Sequence, residues 1–298
     1  MNTNSRICVL GTDTLIGSAL VGALTRARLV NLVAGLADQP EYVFVTAGRS
    51  GGILANQKYP ADFCLDNLLV ATRILPEAHR IGVKRLLYLA SSCVYPKHAP
   101  QPLSAAMLMT GSLERTSDAY AMAKLAGMKL CEAYRRQYAA PFVTAIPADA
   151  YGPGGVFDAE ESHVISSLLV KMQNAKQLGL PSISLWGTGK PRREFTHAED
   201  IADACIAVMR DYDSDLPINI GSGETYSIQE LAEMVRRVVG FTGEIYWDPT
   251  HPDGAPVKWL DTKPLRALGW RPVHSLESGL SQTYRRRLAP GHGVGAST

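Results

Sequence analysis

The chain has 298 residues, of which 46% are hydrophobic, 19% charged and 7% aromatic, a globular profile that excludes disordered, collagen-like and coiled-coil chains. Lys and Arg number 30 against 28 Asp and Glu, and the resulting formal charge of +2 is too weak a field for sequence-independent nucleic-acid binding. No apolar run reaches the roughly 18 to 20 residues of a membrane span, so a cytoplasmic location with neither nucleic-acid nor membrane partner is the expectation.

Arg6-Ile7-Cys8-Val9-Leu10 reads as a strand ending at Gly11, and Leu15, Ile16, Ala19, Leu20 and Ala23 then recur at helical spacing. Tyr42-Val43-Phe44-Val45 is a second strand, residues 62–79 a helix, Arg85-Leu86-Leu87-Tyr88-Leu89-Ala90 a third strand, 119–137 a long helix and 141–146 a fourth strand. Strands that are apolar throughout and alternate with helices predict an α/β fold, a Rossmann-like doubly wound parallel sheet covered on both faces. After Tyr151-Gly152-Pro153-Gly154-Gly155 the rhythm loosens into a smaller lobe, with a helix over 162–174 and a strand at Ile183-Ser184-Leu185-Trp186. The chain is expected to re-enter the first lobe with a helix over 197–210 and the strand Ile218-Asn219-Ile220-Gly221. It then leaves with a helix over 227–239, for which Ser227 and Glu230 form a capping box. This assigns 1–151 and about 197–222 to a dinucleotide-binding lobe, 152–196 and 223–288 to a substrate lobe, and 289–298 to a flexible tail. Cys8, Cys64, Cys93, Cys131 and Cys205 show neither a CxxC nor a zinc spacing, so reduced thiols and no metal are expected.

Gly11-Thr12-Asp13-Thr14-Leu15-Ile16-Gly17 joins a strand to a helix, the setting in which backbone N–H groups and the helix dipole hold a pyrophosphate. Gly11 and Gly17 fit the outer glycines of such a fingerprint, while Thr14 stands at the middle one. Tyr120-Ala121-Met122-Ala123-Lys124 puts a phenol and an ammonium one helical turn apart, and the cation is expected to lower the tyrosine pKa toward a useful general acid. A hydroxyl from Ser91, at the end of the third strand, can polarise the same carbonyl.

These features together resemble the extended short-chain dehydrogenases/reductases, the NAD-dependent epimerase/dehydratase family, and in particular its GDP-4-keto-6-deoxy-mannose 3,5-epimerase/4-reductases, the GDP-L-fucose synthases. The resemblance runs from Arg6 to about Tyr284 on ordered strings. They are Gly51-Gly52-Ile53-Leu54-Ala55-Asn56, Tyr59-Pro60-Ala61-Asp62-Phe63, Ser91-Ser92-Cys93-Val94-Tyr95-Pro96, Tyr120 to Gly127, Ser162-His163-Val164-Ile165, Trp186-Gly187-Thr188-Gly189, Arg193-Glu194-Phe195 and Pro252-Asp253-Gly254.

The resemblance implies that Cys93 and His163 are the acid–base pair of epimerisation beside a keto group. It implies that Tyr120, Lys124 and Ser91 serve the reduction of that group. Coenzyme contacts would come from Gly11, Thr14, Leu15, Ile16, Gly17, Leu89, Lys124, Pro147, Ala150 and His163. Contacts to a GDP-linked sugar would come from Lys171, Trp186, Arg193, Asp253 and Lys258. It implies NADP(H), and a homodimer paired through helices 62–79 and 119–137 using Leu69, Ile74, Met128 and Leu130.

The chain departs from the family in three places. Asp13 stands in the glycine turn where a cation for the 2′-phosphate is usual. The stretch from Gly11 to Tyr42, about 30 residues, is short by a strand and its loop, leaving residues 26–33 as either a strand remnant or a helix extension. Asp149 replaces a usual Asn and is expected to sit badly beside phosphates. NAD(H) therefore stays open, as do a redox-silent epimerase and a non-catalytic sugar-nucleotide-binding homologue.

Overall fold

The structure, a computed structural model, describes residues 1–159, 162–251 and 253–289. In chain order its elements begin β1 (Ile7–Leu10), α1 (Leu15–Arg26), β2 (Leu32–Val33), β3 (Tyr42–Val45), α2 (Ile53–Lys58) and α3 (Pro60–Arg80). They continue β4 (Arg85–Leu89), α4 (Asp118–Tyr138), β5 (Phe142–Pro147), β6 (Asp149–Tyr151), α5 (Val164–Gln177), β7 (Ser182–Trp186), β8 (Arg192–Arg193) and β9 (Phe195–His197). The last are α6 (Ala198–Asp211), β10 (Ile218–Ile220), β11 (Tyr226–Ser227), α7 (Ile228–Val239), β12 (Glu244–Asp248), β13 (Val257–Lys258), α8 (Lys263–Ala267) and α9 (Leu276–Arg287).

Six strands form one parallel sheet in the order β10-β5-β4-β3-β1-β2. Ile7, Cys8, Val43, Phe44, Leu86, Leu87, Val143 and Ala145 are all fully buried, because helices cover both faces and no strand needs a polar side. On one face α1 and α6 pack together over Leu20, Leu24, Ile201 and Val208; on the other, Leu75, Ala78, Leu125 and Met128 of α3 and α4 close the core. Strand β10 sits beside β5, so the chain does return to the main sheet after the smaller lobe begins. A separate core of Ile165, Leu169, Met172, Leu231, Val235 and Leu280 binds α5, α7 and α9. Ser227 and Glu230 form the capping box expected for α7.

The short stretch after the first helix is resolved in favour of a strand remnant. Leu32 and Val33 pair with Ile7 and Cys8 and nothing more, and a 3-10 turn at Leu36–Asp38 replaces the helix that crossovers between parallel strands ordinarily need. Among the described residues no helix is long and apolar enough to cross a membrane. The tail beyond Ala289 and Pro252 lie outside the described residues.

Candidate active site

The glycine turn follows β1 with Gly11 at φ +96°, a conformation that favours glycine, and a Cβ there would also strike the Ala47 backbone. A Cβ on Gly17 would land on the Gly11 carbonyl oxygen, so the third glycine is demanded by helix-to-turn packing. Thr14 has a local task in place of the missing middle glycine. Its hydroxyl donates to the Gly11 carbonyl at 2.7 Å and accepts from the Gly17 N–H at 3.0 Å as the N-cap of α1. The sequence reading missed Thr46, whose hydroxyl at the end of β3 donates to the Leu10 and Gly11 carbonyls at 2.9 and 3.1 Å and pins the turn.

Ser91 and Cys93 leave the C-terminal end of β4 on a single 3-10 turn, with the Cys93 N–H donating to Ser91 Oγ at 3.3 Å. Cys93 is half-buried against Ala55, Phe63 and Tyr120, so it is not a sealed core filler. Tyr120 and Lys124, on α4, are buried to 8% and 5% exposure, so neither is a surface side chain. Phe63 meets the Tyr120 ring edge-on at 6.2 Å. The Lys124 ammonium donates to the Leu89 carbonyl at 3.3 Å and lies 5.4 Å from the centre of the Tyr88 ring.

The electrostatics correct one expectation. Lys124 does not lower the Tyr120 pKa in this structure. Burial pushes the phenol upward, Cys93 adds to that, and the Ser91 hydroxyl is the group that opposes it. Burial also drags the Lys124 ammonium down to about 8, since its neighbours are a carbonyl and an aromatic face. The phenol of the unliganded chain is therefore in its protonated form at neutral pH.

His163 is the N-cap residue of α5, yet its imidazole makes no capping bond and opens onto the cleft. The protein around it strips water and lowers its pKa, Lys258 pushes the same way, and Asp149 opposes both. Asp149 itself does not stand unpartnered beside phosphates, as the sequence suggested. Lys258 Nζ donates to its Oδ1 at 2.7 Å and Ser92 Oγ lies 3.4 Å away. Burial alone would raise the Asp149 carboxyl, but Lys258, then Arg193 and His163, hold it below the usual range. Lys258 is in turn kept charged, against its burial, by Asp149 and Cys93. An ion pair thus spans the cleft from β6 to β13 among both members of the expected epimerisation pair.

The outer cleft gathers the other expected substrate residues. Lys171 Nζ lies 5.5 Å from the centre of the exposed Trp186 ring, on which His251 stacks at 4.2 Å. Asp253 has both oxygens on Thr188, from the N–H at 3.0 Å and the hydroxyl at 2.6 Å, and so braces the Gly187–Gly189 turn. Arg193 borders Gly254. Glu194 is buried, in a role that no pattern in the sequence marks. It accepts from the Gly223 and Leu260 N–H groups at 2.6 and 2.8 Å and ties the strands below the cleft together. Pro147 and Ala150 flank the end of β5 at the floor. Of the residues named for pairing, Met128 is buried in the chain's own core, with Ile74 and Leu130 packed against it and Leu69 half-buried, while Leu65 on α3 and Met122 and Tyr138 on α4 are exposed.

A family profile described as NAD dependent epimerase/dehydratase family matches residues 25–221. GDP-L-fucose synthase 1 of Arabidopsis thaliana is 44% identical over 94% of this chain and 92% of its own length. Among solved structures, a GDP-6-OMe-4-keto-L-xylo-heptose reductase from Campylobacter jejuni superposes with a TM-score of 0.89 at 31% identity, covering 96% of this chain and 98% of that one. A GDP-D-glycero-L-gluco-heptose synthase of the same organism, solved in the presence of NADPH, gives 0.86 at 31% with the same coverage. The chain belongs to the NAD dependent epimerase/dehydratase family, on its GDP-L-fucose synthase branch, and is an enzyme.

Proposed function

We propose that the protein epimerises and then reduces a GDP-linked 4-keto-6-deoxy-hexose with a nicotinamide coenzyme. The observation that carries this reading is the convergence of Ser91, Cys93 and Tyr120 at the end of β4, with His163 and the Asp149–Lys258 pair over the same cleft. The keto group acidifies the hydrogens on its two neighbouring carbons. Cys93 and His163 exchange them, one removing a proton and the other returning one from the opposite face, through an enolate that Lys258 helps to hold. Tyr120 then protonates the carbonyl oxygen while Ser91 hydrogen-bonds it.

The coenzyme supplies the hydride. Its fit is supported by the glycine cradle, and by the buried Asn67 Oδ1, which has no partner and faces Gly48 beside the Lys124 ammonium. Lys124, the Leu89 strand end, Leu15, Ile16, Pro147 and Ala150 would hold it, as NADP(H) in the relatives' manner or as NAD(H). Lys171, Trp186, Arg193 and Asp253 would hold the nucleotide, with Arg193 matching diphosphate oxygens. Residues 1–151 with about 197–222 form the coenzyme lobe in this reading, and 152–196 with 223–288 the substrate lobe. The protein works in the cytoplasm as a homodimer joined through α3 and α4, whose exposed Leu65 and Met122 give that face its apolar character.

The test is a pair of variants. Tyr120→Phe abolishes reduction but keeps deuterium uptake from heavy water into the ketosugar, and Cys93→Ala does the reverse to uptake. Normal reduction by Tyr120→Phe, or normal uptake by Cys93→Ala, overturns the assignment.

A further inference from the structure

A cleft of about 350 Å³ opens where β1 and β2 end, walled by Val9, Leu10, Gly11, Asp13, Val21 and Val33 among others. It lies beside the N-terminus of α1, where a doubly wound sheet holds the adenosine half of a dinucleotide. Val9, Leu10, Val21, Leu32 and Val33 give it an apolar side that suits an adenine; its rim is acidic. Asp13 is exposed in the glycine turn, and just past β2 the Ala34 and Gly35 N–H groups both donate to Asp38 Oδ2, at 3.0 and 3.1 Å. Consecutive N–H groups of that kind are the natural nest for a phosphate, and here a carboxylate of the chain already fills it.

Among the described residues from Ile7 to Arg49, no cation is placed to compensate. Lys and Arg are absent from residues 7–25 and 29–48. Arg26 lies about 16 Å along α1 from its first residue and pairs with Asp203, and Arg28 follows at that same far end. Arg49, the next cation after β3, lies over the Tyr59 and Phe63 rings and pairs with Asp62 at 3.2 Å and Asp66 at 3.8 Å. A 2′-phosphate on the adenosine ribose would face two carboxylates, whereas a 2′-hydroxyl would find acceptors.

We infer that Asp13 and Asp38 make this site select against a 2′-phosphate, so that NADH is the preferred reductant. The inference rests on the dinucleotide reading above and deepens it by naming the residues that choose between the two coenzymes.

Binding without turnover tests it, by the fluorescence of NADH and of NADPH titrated separately onto the full chain at low ionic strength, where charge repulsion is least screened. The wild-type chain is expected to bind NADH at least tenfold more tightly. Asp13→Arg is expected to tighten NADPH at least tenfold and to change NADH less than threefold. Equal or tighter NADPH binding by the wild-type chain overturns the inference and leaves the dinucleotide site standing. An unchanged preference in Asp13→Arg removes Asp13 from the explanation and overturns the assignment. Binding of neither coenzyme overturns the dinucleotide reading, and this inference with it.

Discussion

At the end of the cleft proposed for the nicotinamide, β4, α3 and α4 hold Ser91, Tyr120 and Lys124 in a packed wall, with Lys124 only 5% exposed. At the end proposed for the adenosine, the sheet stops at a two-residue strand and a single 3-10 turn, with an acidic rim. One end keeps charged chemistry inside the core, at a cost in stability; the other has given up a crossover helix and lies open to water. The contrast teaches that the packed wall proposed for catalysis and the cleft end proposed for the coenzyme's adenosine are built separately in this fold, since one is fully enclosed while the other is pared down.

The hardest blow to both ends is expected from Gly17→Ala. Its Cβ would meet the Gly11 carbonyl oxygen, backbone against backbone, so the turn must open. Loss of measurable dinucleotide binding by fluorescence is the expected result. Retained affinity would show that the turn does not carry the coenzyme.

Lys124→Met sharpens the contrast by separating stability from activity. A lysine whose pKa falls from 10.5 to about 8 on folding destabilises the folded chain while it is charged. The penalty is full below pH 8 and fades as pH rises from about 8 to 10.5. The neutral isostere is therefore expected to stabilise the chain by up to about 3 kcal/mol at pH 7, with the gain vanishing toward pH 10.5 in denaturant titrations. Reduction should fall at least 10²-fold. A destabilised Lys124→Met at pH 7 would contradict the burial argument.

The Asp149–Lys258 pair links β6 to β13, and a double-mutant cycle with Asp149→Asn and Lys258→Met reads its coupling. About 0.5–3 kcal/mol is expected in denaturant titrations, with Lys258→Met alone also slowing deuterium uptake. Additive effects would mean that the 2.7 Å contact is incidental. Asp38→Ala should cost about 1 kcal/mol or less, because it touches only an exposed turn. It should leave deuterium uptake unchanged, and slowed uptake would break the separation of the two ends.

Much of this was legible in the chain because the signals are local. Apolar strands, the glycine turn and the Ser227–Glu230 box depend on residues near one another, and each appears where its pattern placed it. What escaped the sequence depends on contacts across the fold. Asp149 read as a misplaced charge because Lys258, its partner, lies 109 residues away. The Tyr120 shift was misjudged because Lys124 alone was visible in the sequence, whereas burial by Phe63 and the strand ends decides the outcome. Thr46 and Asn67 gave no motif at all, since an ordinary Thr and Asn acquire their roles only from Gly11 and Gly48 beside them.

The most direct measurement incubates the purified protein with GDP-4-keto-6-deoxy-mannose in heavy water, with NADH and separately with NADPH, and follows product mass and coenzyme absorbance together. The account predicts a reduced sugar that carries deuterium from solvent at the carbons beside the former carbonyl, with stoichiometric loss of reduced coenzyme. Reduction without deuterium, or deuterium without reduction by either coenzyme, would contradict it.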